Sequence, residues 1–405
     1  MGAFTAASLL GGFLLFGGLV ARGAGAFAVF FIVMYGIHTA VAASIVPLLG
    51  PFAPIFWVLQ ALTILNLATL RAARLRRPAW HWLIAWPGAF FIVATFLSIP
   101  LLPALWWPQA TWVFVLPFTL AALGLWWSVV PRQETVRLDL GVPSRGDELH
   151  RHNPMQSRQR GLKAARLEGA LRVVQVTDPH LGPFMSVRRL SAILQRAVDL
   201  EPDLIVLTGD LLTVASQHHP DALRTSLAPL RAHPCVYACL GNHDHEALPI
   251  VQTALTAAGV RLLIDEEAVA ETSWGPVQVI GIDFMWRDRA ARTAAALQGL
   301  PHRRTATGTM FRLVLLHDPG MFKHVPAGHA DLVLSGHTHG GQVGLVALGF
   351  DWTFVGAVSD VPDHGSWARG RERLYVHRTT GHYGFPLRVG VPAEESLLEI
   401  LPAPT

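Results

Sequence analysis

Hydrophobic positions divide this chain into two stretches of different grain. Up to residue 133 they come in long runs, at 4–20, 26–48, 52–70, 80–102 and 111–130, each near or beyond the roughly 20 residues that cross a hydrocarbon core. Beyond residue 170 the apolar runs shorten to strand length, at 172–176, 204–207, 235–240, 313–316 and 331–334, with others at 260–264, 277–282, 373–376 and 397–401. Between them the period becomes helical. Val187, Leu190, Leu194 and Ala197 share one face of a segment starting near Ser186, with Arg188, Arg189 and Arg196 off it. Further helices are predicted at 222–231, 248–258 and 288–298. The pattern predicts an N-terminal all-α multi-span membrane region (1–133), a basic linker with one strand at 135–140 (134–170), and an α/β domain (171–405). Within the last, residues 342–372, rich in Gly, Asp and aromatics, read as a loop.

Charge sharpens the first stretch. Residues 1–133 hold six arginines and no Asp or Glu, which argues against buried helices of a large soluble protein. Arg22 follows the first run, Arg71, Arg74, Arg76 and Arg77 follow the third, and Arg132 follows the fifth; the two other connections are neutral. Five spans in positive-inside orientation put the N-terminus outside and everything after Arg132 in the cytoplasm, on a multi-pass protein of the cell (inner) membrane. Trp80, Trp82, Trp106, Trp107, Trp126 and Trp127 lie near span ends, where interfacial anchors belong. The chain is +4 overall, yet residues 134–405, with 26 basic and 28 acidic residues, sum to −2. The basic balance therefore belongs to the membrane part, and no nucleic-acid partner is expected. One local run, Arg151, Arg158, Arg160, Lys163 and Arg166, reads either as a solvated linker or as a contact to anionic headgroups or a phosphorylated substrate. Cys235 and Cys239 share one predicted strand, too far apart in an extended chain to bridge, and read as core.

The chemistry sits directly after the strands. Thr177-Asp178-Pro179-His180, Thr208-Gly209-Asp210, Leu240-Gly241-Asn242-His243-Asp244 and Gly336-His337-Thr338-His339 each follow one, as does His317. Strands that end together bring such loops to one sheet edge. Asp178 and His180 flank a proline, so the backbone there is expected to be extended with both side chains on one side; the same period-two argument applies to His337 and His339. Asp210 offers two carboxylate oxygens, suited to bridging cations, and Asn242 adds a neutral oxygen. Imidazole, carboxylate and amide ligands without thiolates favour Mn, Fe or Zn. Two divalent metal ions sharing a hydroxide are equipped to break phosphoesters. An isolated Asp-x-His or Gly-Asp is common by chance; Gly-His-Thr-His-Gly-Gly-Gln at 336–342, with all the others in this order, is not.

These motifs make residues 171–402 resemble the calcineurin-like metallophosphoesterase superfamily, in particular its membrane-attached bacterial branch, through His317-Asp318-Pro319 and the 336–342 signature. The resemblance implies a two-sheet sandwich flanked by helices and hydrolysis of phosphomonoesters, phosphodiesters or pyrophosphates. It implies that Asp178, His180 and His339 hold one metal, that Asn242, His317 and His337 hold the other, and that Asp210 bridges them. His243 matches the family's non-ligand catalytic histidine, with Asp244 or Asp178 to orient it. Pro179 departs from the larger apolar residue of many members and leaves both neighbouring ligands intact.

Arg378 and His382, with Tyr383, are candidate substrate contacts. Membrane attachment makes a lipid-linked phosphate or pyrophosphate the expected substrate, with Mn as the first metal to consider. A phosphodiesterase for a soluble nucleotide or small phosphoester is the alternative, and a non-catalytic metal-dependent membrane sensor is the different class. His243 argues against the sensor, because a binding module has no need of a placed general acid. Oligomeric state has no signature in the sequence.

Overall fold

A chargeless apolar segment can satisfy its backbone away from water only by internal hydrogen bonds, so helix is the form expected of the first third. The computed structural model describes residues 2–20, 25–69, 74–163, 165–306, 308–382 and 388–403. They divide into two units, Met1–Trp126 with Gly384–Val389, and Trp127–Tyr383 with Gly390–Thr405.

The first unit is helical. Among the described residues three helices are long and apolar enough to cross a membrane: Phe31–Ala68, Pro78–Trp106 and Gln109–Val129. The second and third apolar runs thus belong to one helical stretch, broken where Gly50 takes φ 48 and ψ −118 beside Pro51. The first run forms helix Ala3–Val20. Arg22 and Arg71 lie outside the described residues. Inside the unit, His38 Nδ1 is 2.7 Å from Thr95 Oγ1, and His38 Nε2 is 2.8 Å from Gln60 Oε1. The Gln60 amide donates to Tyr35 Oη (2.9 Å), whose hydroxyl donates to the Ser8 carbonyl (3.0 Å).

The second unit is built on two seven-stranded sheets. In chain order the strands are β1 (Arg132–Asp139), β2 (His150–Arg151), β3 (Gln156–Arg160), β4 (Leu171–Val176), β5 (Leu204–Thr208), β6 (Val236–Cys239), β7 (Arg261–Leu262), β8 (Glu266–Glu271), β9 (Pro276–Ile282), β10 (Phe311–Leu316), β11 (Leu332–Ser335), β12 (Gly365–Arg369), β13 (Glu372–Val376) and β14 (Glu394–Leu401). One sheet runs β3-β1-β14-β4-β5-β6-β7 and the other β2-β12-β13-β11-β10-β9-β8. Period-two alternation sends each strand's side chains to two cores. Val173, Leu204 and Val206 meet Val279, Leu313, Leu315 and Leu334 between the sheets. Val174, Ile205 and Leu207 face helices Val187–Asp199, Pro220–Leu227 and Leu248–Ala257. Val314, Leu316 and Val333 pack with Leu297 of helix Arg289–Gly299. Ser186 caps the first of these helices, its side chain accepting from the Arg189 N–H at 3.2 Å.

The stretch read as a linker, 134–170, is more structured than expected. It carries most of β1 and all of β2 and β3, which extend both sheets. Its cations are also largely committed: Arg151 pairs with Asp363, Arg158 with Glu134 and Glu394, and Arg166 with Asp203.

What matters for the site is direction. β4, β5, β6 and β7 are mutually parallel, as are β9, β10, β11 and β13. The loops after β4, β5, β6, β10 and β11 carry the motif residues.

Candidate metal centre

The motif residues form two clusters of potential ligand atoms, each within 4.8 Å of one another: Asp178, His180 and His339, and Asp210, His317 and His337. Asp210 joins them, its Oδ2 lying 3.3 Å from His317 Nε2 and 3.7 Å from His180 Nε2. Asp178 Oδ1 lies 3.7 Å from His180 Nε2 and 3.5 Å from His339 Nε2.

The other ring nitrogens set the orientation of the imidazoles. Nδ1 of His180 meets the Leu212 carbonyl (3.2 Å), Nδ1 of His317 the Thr208 carbonyl (2.7 Å), and Nδ1 of His339 the Thr379 hydroxyl (3.0 Å). Each of these contacts aims Nε2 inward. Asp178 is held through Oδ2, which accepts from the Thr177 hydroxyl (2.6 Å) and the His337 N–H (3.0 Å). Its Oδ1, and Oδ1 of Asn242, are buried with no hydrogen-bond partner among the described residues. Buried oxygens are normally satisfied, so an Asp178 Oδ1 left open at 3.5 and 3.7 Å from two imidazole nitrogens fits a cation.

The local backbone corrects the extended geometry expected at these motifs. Asp178 and His180 adopt φ 47 and 45, and His337 and His339 adopt φ 67 and 51, as does Asp210 at φ 56. This left-handed region costs a non-glycine residue about 1–3 kcal/mol, which is consistent with loops over-determined by their surroundings. The Asp178 and His180 side chains nevertheless converge in one cluster, whereas His337 and His339 fall in different ones. Two glycines make room: a Cβ on Gly336 would strike the Asp178 carboxylate and Thr177, and one on Gly241 would strike the Asp210 carboxylate.

The electrostatics ask for positive charge. Burial would raise the Asp178 carboxyl, but His317, His180 and His339 hold it well below its ordinary value, and Asp210 is depressed in the same way. Burial opposes charge on His317 too, yet Asp210 and Asp178 push its pKa up to about 10. The neighbouring His337 is driven down to about 4 by burial and by His317.

His243 lies at the rim, its ring 5.5 Å from that of His180, and its backbone N–H donates to Asp210 Oδ1 at 2.8 Å. The carboxylate on its Nδ1 is Glu246, at 2.8 Å, rather than Asp244 or Asp178. Asp244 is buried and occupied differently: it accepts the N–H groups of Asp210 (2.8 Å), Leu211 (2.8 Å) and Gly241 (2.9 Å) and so ties two site loops together. Burial and the charge of Asp210 push its carboxyl up to about 6.

Arg378 also differs from expectation. It is 1% exposed and paired with Glu134 (2.7 Å) and Glu394 (3.4 Å), so its charge is neutralised inside the domain instead of being offered to a phosphate. His382 is buried beside the centre, its ring 6.2 Å from His339 and 5.4 Å from Phe184; Tyr383 lies outside the described residues. Glu246 was legible as an i,i+3 partner of His243. Phe284, 6.1 Å from the rings of both His317 and His337, carried no signal in the sequence.

Comparison with known proteins agrees with this geometry. Residues 171–341 match the family described as Calcineurin-like phosphoesterase. The chain is 28% identical over 235 residues to Phosphodiesterase YaeI of Escherichia coli (strain K12), covering 57% of this chain and 82% of that one. It is 33% identical over 151 residues to Uncharacterized metallophosphoesterase YkoQ of Bacillus subtilis (strain 168), covering 36% of this chain and 53% of that one. It is 29% identical over 242 residues to Transmembrane protein with metallophosphoesterase domain of Danio rerio, covering 55% and 52%.

Proposed function

The chain belongs to the calcineurin-like metallophosphoesterases, and from that premise we propose that it hydrolyses a phosphoester or pyrophosphate carried by a lipid, using two divalent cations, Mn before Fe or Zn. It is a metal-dependent phosphoesterase with apolar N-terminal helices. The lipid-linked substrate rests on those helices, since a shared surface concentrates enzyme and substrate. The phosphodiesterase name of the E. coli relative makes a diester the first bond to test.

The observation that carries the reading is the placement of Asp210 Oδ2 between a histidine of each cluster, at 3.3 and 3.7 Å. Asp178, His180 and His339 would hold one cation, Asn242, His317 and His337 the other, and Asp210 would serve both. When bound, the pair supplies Lewis-acid charge to phosphoryl oxygens and acidifies a water. The protein's own groups do the rest. The Nδ1 contacts of His180, His317 and His339 keep the rings from rotating, and Asp244 holds the loops that present Asp210 and Asn242. His243, whose Nδ1 meets Glu246, would donate a proton to the departing oxygen.

Full-length protein in detergent, loaded with Mn and given bis-p-nitrophenyl phosphate, should release p-nitrophenol, and Asp210→Asn should not. Hydrolysis that survives metal stripping and Asp210→Asn alike would overturn the assignment. The arginine distribution further supports a catalytic unit on the cytoplasmic face. Protease added to sealed right-side-out vesicles should leave that unit intact.

A further inference from the structure

Beyond Arg132 the exposed large hydrophobic residues concentrate in one place. Leu345, Leu348, Phe350, Trp352, Phe354 and Val358 are all exposed, from 42% to 73%, whereas the other described examples, Val214, Val269 and Trp286, are scattered. From Val343 to Ser359 the only charged residue is Asp351, and its carboxylate accepts a hydrogen bond from the Asn153 amide. The segment is not loose chain. Leu345 N–H donates to the Trp352 carbonyl (2.9 Å), and Phe354 N–H to that of Val343 (2.7 Å). The Thr353 hydroxyl accepts the Gly356 N–H (3.0 Å) at the start of helix Phe354–Val358 and donates to the Asp363 carboxylate. The backbone is satisfied from within while the apolar side chains point outward. Contiguous exposed apolar patches of this kind mark membrane or partner contacts.

The position of the segment identifies what covers it. It pairs with Gly390 through a Val343–Gly390 bridge and through Ala347 N–H to the Gly390 carbonyl at 2.7 Å. Gly390 precedes β14, whose first residue, Glu394, is in register with Arg132 at the start of β1. β14 runs antiparallel to β4 with Ser396 opposite Gln175, so this end of β1 and β14 is the end at which β4 releases Asp178 and His180. The apolar segment, the ligand loops and the point at which the polypeptide enters the unit therefore share one sheet edge. That polypeptide arrives from Gln109–Val129, an apolar helix long enough to cross a membrane, with only Val130 and Pro131 between it and β1. Three Cα–Cα steps from Val129 to Arg132 span at most about 11 Å.

We infer that residues 345–358 form an interfacial element that rests in the headgroup and acyl boundary of a lipid bilayer, alongside the mouth of the metal centre. This rests on the phosphoesterase reading only for its consequence: the substrate's phosphate reaches the ligands while its apolar part stays in lipid. The surface itself is testable without turnover.

The test uses full-length protein in phosphatidylcholine–phosphatidylglycerol nanodiscs. An environment-sensitive NBD label is attached to Leu348→Cys or Trp352→Cys in a Cys235→Ser background; the other native cysteine, Cys239, is buried. Asp199→Cys, exposed at the far end of helix Val187–Asp199, is the control. At positions 348 and 352 the label should shift to the blue and be quenched by doxyl-labelled lipid and not by iodide, whereas the control shows the reverse. Iodide quenching at 348 and 352 overturns the inference. So does shielding from both quenchers, which would mean that protein covers the segment. Bis-p-nitrophenyl phosphate hydrolysis by the same samples separates the two claims: inactivity with lipid quenching removes the enzyme reading and leaves the surface.

Discussion

Two clusters of buried polar side chains in this molecule differ in how completely they are satisfied. In the helical unit, both ring nitrogens of His38, the Gln60 amide and the Tyr35 hydroxyl have partners at 2.7–3.0 Å. In the catalytic unit, Asp178 Oδ1, beside the His180 and His339 rings, and Asn242 Oδ1 are buried with no hydrogen-bond partner among the described residues. A closed network specifies how helices pack; an open one, in a setting that holds His317 protonated, marks a place for a cation. Arg378 and Arg158, in the catalytic unit, are ion-paired with Glu134 and Glu394.

Substitutions can break this contrast. Asp210→Ala should lose metal and lower kcat/KM more than about a thousandfold, because one carboxylate serves both clusters. Elemental analysis beside steady-state kinetics checks both. His243→Ala should retain metal and lose about 10²–10⁴ in kcat, with Glu246→Gln following it more weakly; full turnover by His243→Ala would remove the general-acid role. Arg378→Met should destabilise the catalytic unit by about 3–5 kcal/mol, as expected when a buried pair loses one partner, with KM for bis-p-nitrophenyl phosphate unchanged. A raised KM without lost stability would restore Arg378 to the substrate. His38→Ala should lower the thermal stability of the helical unit by about 1–3 kcal/mol and leave hydrolysis alone.

A further effect is a linkage. Against the effect of burial, Asp210 and Asp178 raise the His317 pKa to about 10, and an imidazole that takes up a cation must be neutral. Cation binding therefore releases a proton, and affinity should fall about tenfold for each unit that the pH drops below that value. Calorimetry in buffers of different ionisation enthalpy reads the released proton directly.

Much of this was legible before the structure. Buried strands announce themselves as short apolar runs, and residues placed directly after them converge because parallel strands end together, so the grouping of Asp178 with His339 and of Asp210 with His317 is legible in the pattern. The misses share a cause. Left-handed φ at Asp178, His180, His337 and His339 is imposed by neighbouring loops, and a local proline rule has no access to it. The burial of Arg378 depends on Glu134, far away in sequence. β2 and β3 are short and polar, and they are strands because a sheet edge was available to them.

The central claim is that two cations lie side by side at the joined clusters. Anomalous diffraction at the manganese edge from Mn-loaded crystals tests it most directly. The account predicts two peaks per chain, one among Asp178, His180 and His339 and one among Asn242, His317 and His337, with Asp210 reaching both. No peak there, or a single peak contacting neither Asp178 nor His317, would contradict it.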